Sequence, residues 1–271
     1  MPRHLSMLNL LVALIFCFAF QTRAEISVTS IRQPGAPLDP SIRNETDHAV
    51  DVAASWLAAH QNTDGSWGSE TGRVARTSIT LLALTPRTTL YSDACVRAAV
   101  WLDSHAPSAE DTSDTHAWRV VALLSVVSDP SARAKLAQRL FHESLTQVQP
   151  TNAPFSRREL WDEARALAGE PPAPPPENGV ARRQLSELAA NAQRLNNGAA
   201  YCRWRDVRVI NRLGQGVLER DGRPLDWRRD VAQGLINAQR RDPAGGGYWG
   251  QEEGDARITQ TAFGLLTLLE L

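Results

Sequence analysis

The sequence predicts an all-α protein built from about five helical hairpins, and three observations lead to this fold class. Apolar residues recur at spacings of three and four through most of residues 46–271, which is the period of amphipathic helices. The first helices of successive pairs recur about every 45 residues, as in stacked helical repeats. No segment shows the alternation that is typical of a strand. With 271 residues, of which 42% are hydrophobic, the chain can bury a core of this size.

Residues 1–24 are predicted to be a signal peptide. A short basic start precedes an apolar run from Leu8 to Phe20, and the segment ends in the small residue Ala24. The run is shorter than the roughly 20 residues that a membrane span needs. We therefore expect an exported protein, periplasmic or secreted. An uncleaved signal anchor is the alternative, and it is the one membrane association that we predict.

The remaining elements follow in chain order. Residues 25–45 contain QPGAPLDPS and are predicted to be an extended N-terminal segment. The repeat domain spans 46–271, with helices predicted over 47–60, 76–85, 93–104, 114–128, 131–147, 156–169, 180–195, 202–219, 226–240 and 256–270. Residues 170–178 are rich in proline, which a helix interior does not tolerate. We interpret them as a stiff loop inside the domain.

The second helices of the five pairs align on one apolar column. Its leading residues are Ile79, Trp118, Trp161, Trp204 and Phe263, and the three tryptophans are spaced 43 and 43 residues apart. Three residues further on stand Leu82, Val121, Ala164, Val207 and Leu266, and five further on Leu84, Leu123, Ala166, Val209 and Leu268. Such a stripe predicts a buried helix face. Packing between repeats is the first interpretation of the tryptophans, and an aromatic wall around a ligand is the alternative.

One phrase occurs twice, about 180 residues apart. Leu57-x3-Gln61-x3-Gly65-x-Trp67 returns as Leu235-x3-Gln239 with Gly247-Tyr248-Trp249, although the second turn is four residues longer. Both copies resemble the glutamine-tryptophan repeat of squalene-hopene and oxidosqualene cyclases, and more loosely that of protein prenyltransferase beta subunits. The resemblance implies an alpha/alpha toroid in which the second helices surround a central cavity. Five pairs would leave it one short of the usual six.

The residues of this phrase suggest structural roles. Gln61 stands at the end of a helix, where backbone carbonyls lack partners, and we expect its amide to donate to them and to stack on Trp67. Gly65 supplies the tight turn because glycine accepts a positive φ.

The resemblance also implies a general acid, since cyclases of this family protonate their substrate with an aspartate-rich motif. The nearest text is AEDTSDTHAW, in which Asp111, Asp114 and His116 are the candidate catalytic residues. The three-carboxylate cluster of the family is absent. The same text also reads as a polar helix start, where Ser and Asp satisfy free amides and the helix dipole.

Charged residues follow the leading residues of the middle repeats. If the second helices line a toroid, the candidate ligand-binding residues of its centre are Trp118, Arg119, Trp161, Asp162, Glu163, Arg205 and Asp206. Charges there disfavour a squalene-like substrate. A solvated face is one alternative. A carbohydrate-active enzyme that uses Asp162 or Asp206 with Arg205 or Arg208 is another.

Composition and spacing exclude several function classes. A net charge of -1 gives no electrostatic case for nucleic acid. Zinc-dependent prenyl transfer needs a histidine after Cys202, and His142 is the last one. We predict neither a metal nor a cofactor, and we expect Cys95 and Cys202 to be free thiols. The favoured function is an exported protein that binds an unknown small molecule, lipid, glycan or protein. A small terpenoid cyclase with Asp114 as the acid is the alternative, so enzyme activity stays open.

Overall fold

The computed structural model describes residues 38–69, 72–107, 112–145, 155–170, 200–212, 218–220 and 223–271. These residues are mostly helical, which confirms the all-α prediction. The helices are α1 (Pro40–Ala59), α2 (Arg73–Leu84), α3 (Thr88–Ser104), α4 (Ser113–Ser125), α5 (Pro130–Leu145), α6 (Phe155–Leu167), α7 (Ala200–Arg212), α8 (Trp227–Ala238) and α9 (Asp255–Leu269). The signal peptide, most of the proline-rich loop and the predicted helix 180–195 lie outside the described residues. Within that described part, none of the helices has the length and hydrophobicity to cross a membrane.

Helix α1 begins earlier than predicted, so the extended N-terminal segment does not reach residue 45. The Asp39 carboxylate accepts hydrogen bonds from the backbone N–H groups of Ser41 and Ile42, both at 3.1 Å. Pro40 occupies the first helical position, where its missing N–H costs nothing. Together the two residues start the helix at Pro40. Leu38 is buried against Ile42.

Two short antiparallel hairpins interrupt the helical pattern, although no strand was predicted. Strand β1 (Leu218–Arg220) pairs with β2 (Arg223–Leu225), and β3 (Arg240–Arg241) pairs with β4 (Gly247–Tyr248). Helix α7 was predicted to reach residue 219, but residues 218–220 belong to β1.

The second helices pack against one another in series. Helix α4 lies between α2 and α6, and α2 in turn contacts α9, which packs against α7. A salt bridge of 2.8 Å between Glu163 of α6 and Arg208 of α7 joins the two ends of this series. The last hairpin therefore neighbours the first, since α9 also contacts α1 and α8 contacts α1.

The apolar column forms the face along which these helices meet. Its members are buried except for Trp161 and Leu82, which are half-buried, and Ala166, which is exposed. The exposed alanine stands near the end of α6, where the column leaves the core. Apart from Ala166 and Val209, the residues of the column belong to one hydrophobic core cluster.

The two copies of the repeated phrase make the same hydrogen bonds. Each indole N–H donates to the carbonyl of the phrase's own leucine, and each tryptophan backbone N–H donates to a buried threonine of the following helix. The bonds are Trp67 Nε1 to Leu57 O at 2.7 Å, Trp67 N to Thr77 Oγ1 at 3.0 Å, Trp249 Nε1 to Leu235 O at 2.8 Å, and Trp249 N to Thr261 Oγ1 at 3.1 Å. The phrase thus joins the two helices of one hairpin.

The glutamines act between hairpins, which differs from the predicted role of Gln61. Its Nε2 donates to Gly65 O at 2.9 Å and to Ala94 O of α3 at 2.8 Å. Helix α1's own terminal carbonyls are taken by other groups, one of them the Trp67 indole. Gln239 repeats the contact by donating to Ala49 O of α1 at 2.8 Å, so the last hairpin binds the first as the first binds the second.

A polar clasp reinforces the contact of the last hairpin with the first. Asp255, in the first turn of α9, accepts from the backbone N–H of Ser69 at 2.9 Å and pairs with the Arg76 guanidinium at 2.7 Å. Burial raises the pKa of Asp255, but the hydrogen bonds from Ser69 and the charge of Arg76 outweigh it. The net effect is a pKa below the ordinary value.

Candidate functional site

The leading residues of three second helices meet as an aromatic cluster, which we define as Trp118, Trp204, Phe263 and Tyr201. Ring centroids lie 5.1 Å apart for Trp118 and Trp204, 5.7 Å for Trp204 and Phe263, and 5.4 Å for Tyr201 and Phe263. These are ordinary packing distances for aromatic side chains. Trp118, Trp204 and Phe263 are each at most 5% exposed. The rings thus fill the space between α4, α7 and α9.

Trp161, the third tryptophan of the column, lies apart from these close ring contacts. Its partner is Phe141 of α5, with centroids 6.1 Å apart. It is half-buried, and its indole N–H has no hydrogen-bond partner among the residues that the structure describes. The column therefore does not place all of its aromatic residues in one wall.

The candidate catalytic residues stand at the start of α4. Thr112 is the N-cap, and its hydroxyl accepts from Thr115 N at 3.3 Å. Asp114 is half-buried in the first turn, four residues before Trp118 and so on the same helix face. Asp111 lies outside the described residues. The structure therefore agrees with a polar helix start, but the capping residue is Thr112 rather than Ser113 or Asp114.

His116 is buried at a position that is structural in other repeats. In the column alignment it stands two residues before the leading residue, where the first and last repeats have Thr77 and Thr261. Both threonines accept a backbone N–H of the turn that precedes their helix. The first and last repeats thus use this position to hold the turn before the helix.

Arg119, a predicted cavity residue, is held by neighbouring helices. Its guanidinium donates from Nε to Leu102 O at 2.9 Å and pairs with Glu143 at 3.0 Å, which places it between α3 and α5. The residue is 3% exposed. A buried guanidinium is satisfied in this way because the end of α3 offers carbonyls without helical partners. Arg119 therefore joins α4 to the end of α3 and to α5.

The other predicted cavity residues are engaged in ion pairs. Glu163 pairs with Arg208, which also lies 3.4 Å from Glu270 and stacks over Trp204 at 4.8 Å. Asp162 faces Arg165 at 3.8 Å on the same helix. These pairs neutralise one another along α6, α7 and α9. Such mutually paired side chains are typical of a structural ion-pair network. They differ from the two free carboxylates that glycoside hydrolysis uses.

Asp206 is the least satisfied of these charged side chains. It is 3% exposed, and Oδ1 accepts from Arg205 at 3.0 Å, while within the described part of the chain Oδ2 has no hydrogen-bond partner. In three of the other four helices the corresponding residues, Leu81, Val120 and Leu265, are fully buried and apolar, whereas the fourth has the half-buried Glu163. A carboxylate at a core position is costly unless its oxygens are bonded.

Sequence reasoning missed a second repeated pair on the first helices. Trp56 stacks on His60 with centroids 3.9 Å apart, and Trp101 stacks on His105 at 4.2 Å. In both pairs histidine Nδ1 lies 2.8 Å from the tryptophan carbonyl. The repeated sequences WLAAH and WLDSH, each with tryptophan and histidine four residues apart, would have allowed this prediction. Trp56 also faces Tyr248 of the last hairpin, so these pairs belong to the seams between hairpins.

Metal or thiol chemistry would depend on the cysteines and the metal-ligating side chains of the described part of the chain. No three His, Cys, Asp or Glu side chains there are grouped as metal ligands. Cys95 and Cys202 are both free. Burial raises the pKa of the Cys95 thiol to about 12, which makes it a poor nucleophile.

A pocket of about 410 Å³ opens on the surface between α1 and the end of α8. Its walls include Glu45, His48, Gln239 and Arg241. None of the predicted catalytic or cavity residues lines it.

Comparisons of the chain with models of protein families, with curated proteins and with solved structures found no match.

Proposed function

We propose that the chain is an exported binding protein whose five hairpins close into an alpha/alpha toroid. The closure is supported by the equivalent glutamine contacts, Gln61 to Ala94 O and Gln239 to Ala49 O. Two ion pairs also support it. Asp255 of α9 pairs with Arg76 of α2, and Glu163 of α6 pairs with Arg208 of α7. With five pairs instead of six, such a ring has a narrower centre.

The packing of the aromatic cluster is the observation that carries the binding function. A cyclase of long polyprenes needs a cavity that holds the folded substrate, whereas Trp118, Trp204 and Phe263 pack on one another where that cavity would lie. The charged residues predicted for the centre are each engaged in an ion pair, Arg205 with Asp206 and the others with neighbouring side chains. A repeat protein with a packed centre presents its outer surface and its seams to partners. Binding a partner therefore suits this geometry better than catalysis.

Turnover assays test this proposal. Purified protein without residues 1–24 is incubated with squalene and with shorter polyprenyl substrates, and the extracts are analysed by gas chromatography with mass spectrometry. We expect no cyclised product from folded protein. A product that disappears in an Asp114→Asn variant of unchanged thermal stability would overturn the binding function.

That variant also serves the second candidate, a small terpenoid cyclase with Asp114 as the general acid. The observation in its favour is the position of Asp114, half-buried one helical turn before Trp118 of the aromatic cluster. A carboxylic acid next to aromatic rings is suited to protonate an alkene. Conversion of a short polyprenyl substrate is the result that this candidate requires.

A further inference from the structure

The seam between the first and second hairpins contains an arginine that completes a glutamine's hydrogen bonds. Gln61 Nε2 donates to Ala94 O, and its Oε1 accepts from Arg97 Nε at 3.1 Å. A Cβ added to Gly65 would lie 2.6 Å from Arg97 O, so the turn rests directly on the helix at this residue. The Arg97 side chain therefore occupies the seam and satisfies the amide oxygen.

The seam between the last and first hairpins is built in the same way but lacks the arginine. Gln239 Nε2 donates to Ala49 O, as Gln61 does to Ala94 O. A Cβ on Gly247 would lie 2.6 Å from Val52 Cγ2, so Val52 stands where Arg97 stands in the other seam. Valine has no donor. Gln239 Oε1 accepts no hydrogen bond from any described residue.

The surface pocket of about 410 Å³ lies at this second seam, and Gln239 is one of its walls. Glu45 lines it as well, is exposed, and has no ion-pair partner among the described residues. Ala49 and Ile236 supply apolar surface. Arg241 is also present, and it donates to His48 Nε2 at 2.7 Å. The walls of the pocket thus include Gln239, whose amide oxygen accepts no hydrogen bond from a described residue, and the carboxylate of Glu45. Ala49 and Ile236 form its apolar part.

We propose that this pocket binds an arginine side chain of a partner protein. The guanidinium would donate to Gln239 Oε1, as Arg97 donates to Gln61, and would pair with Glu45. Its methylene stem would lie on Ala49 and Ile236. The positive charge of Arg241 repels a second guanidinium in the pocket. The negative charge of Glu45 has to offset this repulsion, so binding depends on the Glu45 carboxylate.

This inference rests on the proposed binding function and names its partner. The probes are N-acetyl-arginine amide and its citrulline analogue, which has nearly the same shape without the charge. Binding is followed by nuclear magnetic resonance of the 15N-labelled protein without residues 1–24. We expect saturable shifts of the amides at 44–49 and 236–241 with a dissociation constant of about 1–10 mM. The citrulline probe should bind at least about threefold more weakly.

Two variants make the assignment specific. Glu45→Gln should weaken binding of the arginine probe at least about threefold, because it removes the charge partner without removing a hydrogen bond of the fold. Val52→Arg should block the pocket by restoring the arginine of the other seam. The matched control is Asp93→Asn, an exposed acid next to Ala94 in the first seam, which should leave the affinity unchanged.

Three outcomes would overturn the arginine pocket: no saturable shift below about 50 mM probe, equal binding of the citrulline probe, or an unchanged affinity of Glu45→Gln. If Val52→Arg does not fold, the Glu45→Gln result still decides. If the arginine probe does not bind and no polyprenyl substrate is converted, only the arginine pocket is overturned and the binding function stands. Conversion of a polyprenyl substrate overturns the binding function whatever the probe does.

Discussion

Replacing Thr261 with valine removes one hydrogen bond of the repeated phrase with little change in shape. Thr261 is fully buried, and its Oγ1 accepts from Trp249 N at 3.1 Å and donates to Trp249 O at 3.3 Å. Valine fills nearly the same volume, so the cavity term is small. The substitution leaves a buried backbone N–H without an acceptor.

An orphaned buried donor costs about 1–3 kcal/mol. For a domain of this size each kcal/mol lowers the melting temperature by about 2–4 °C, so Thr261→Val should lower it by roughly 2–12 °C. Thr77→Val should cost a similar amount, because Thr77 makes the equivalent bond to Trp67 N at 3.0 Å. The matched control is Thr267→Val in the same helix. Its hydroxyl bonds only the carbonyl of Phe263 four residues earlier, and we expect a loss of about 0.5 kcal/mol or less.

Thermal and urea unfolding followed by circular dichroism measure these differences, with unchanged urea m-values as the check that the native state is intact. The reasoning is refuted if Thr261→Val costs no more than Thr267→Val. It is also refuted if Thr77→Val and Thr261→Val differ by several kcal/mol, since the two copies would then not be equivalent.

Three further predictions follow from single contacts. The pKa of Asp255 is lowered in the folded protein, so its stabilisation is fully present above the unfolded value of about 3.9 and is lost as the pH falls through the lower folded value. Asp255→Asn should therefore flatten the pH dependence of urea unfolding below about pH 4, and an unchanged profile would contradict the clasp. Iodoacetamide at pH 8 should alkylate half-buried Cys202 of the folded protein well before buried Cys95, whose pKa is raised to about 12, as read by peptide mass spectrometry. Trp118→Ala should cost about 3–5 kcal/mol in urea unfolding, whereas a loss under about 1 kcal/mol would mean that the centre is not packed.

The apolar column was predictable because a buried helix face repeats at a period that the sequence displays directly. Periodicity states which residues share a face, but it does not state which neighbour that face meets. Arg119 shows the difference. It follows Trp118 in the chain, yet its guanidinium turns to the free carbonyl end of α3, an acceptor that lies 17 residues away in sequence.

The polar contacts across the seams were beyond sequence reasoning for the same reason. Gln61 stands next to free carbonyls of its own helix, which suggested a local partner, whereas its acceptor Ala94 O lies 33 residues away. The start of α1 is a different case. Asp39 is the N-cap and Pro40 is the first helical residue. Both are signals in the local sequence, so this helix start could have been predicted.

The central claim is that the last hairpin packs on the first as neighbouring hairpins do. Ser69 and Asp255, which are 186 residues apart, are in direct hydrogen-bond contact in such a ring. The direct test is a Ser69→Cys, Asp255→Cys variant that lacks residues 1–24, and with them Cys17, and has Cys95 and Cys202 replaced by alanine. It is oxidised at low concentration and measured by intact mass and non-reducing electrophoresis. A closed ring predicts nearly complete intramolecular disulfide formation in the folded monomer. Cysteines that stay reduced, or that link only different molecules, would contradict it.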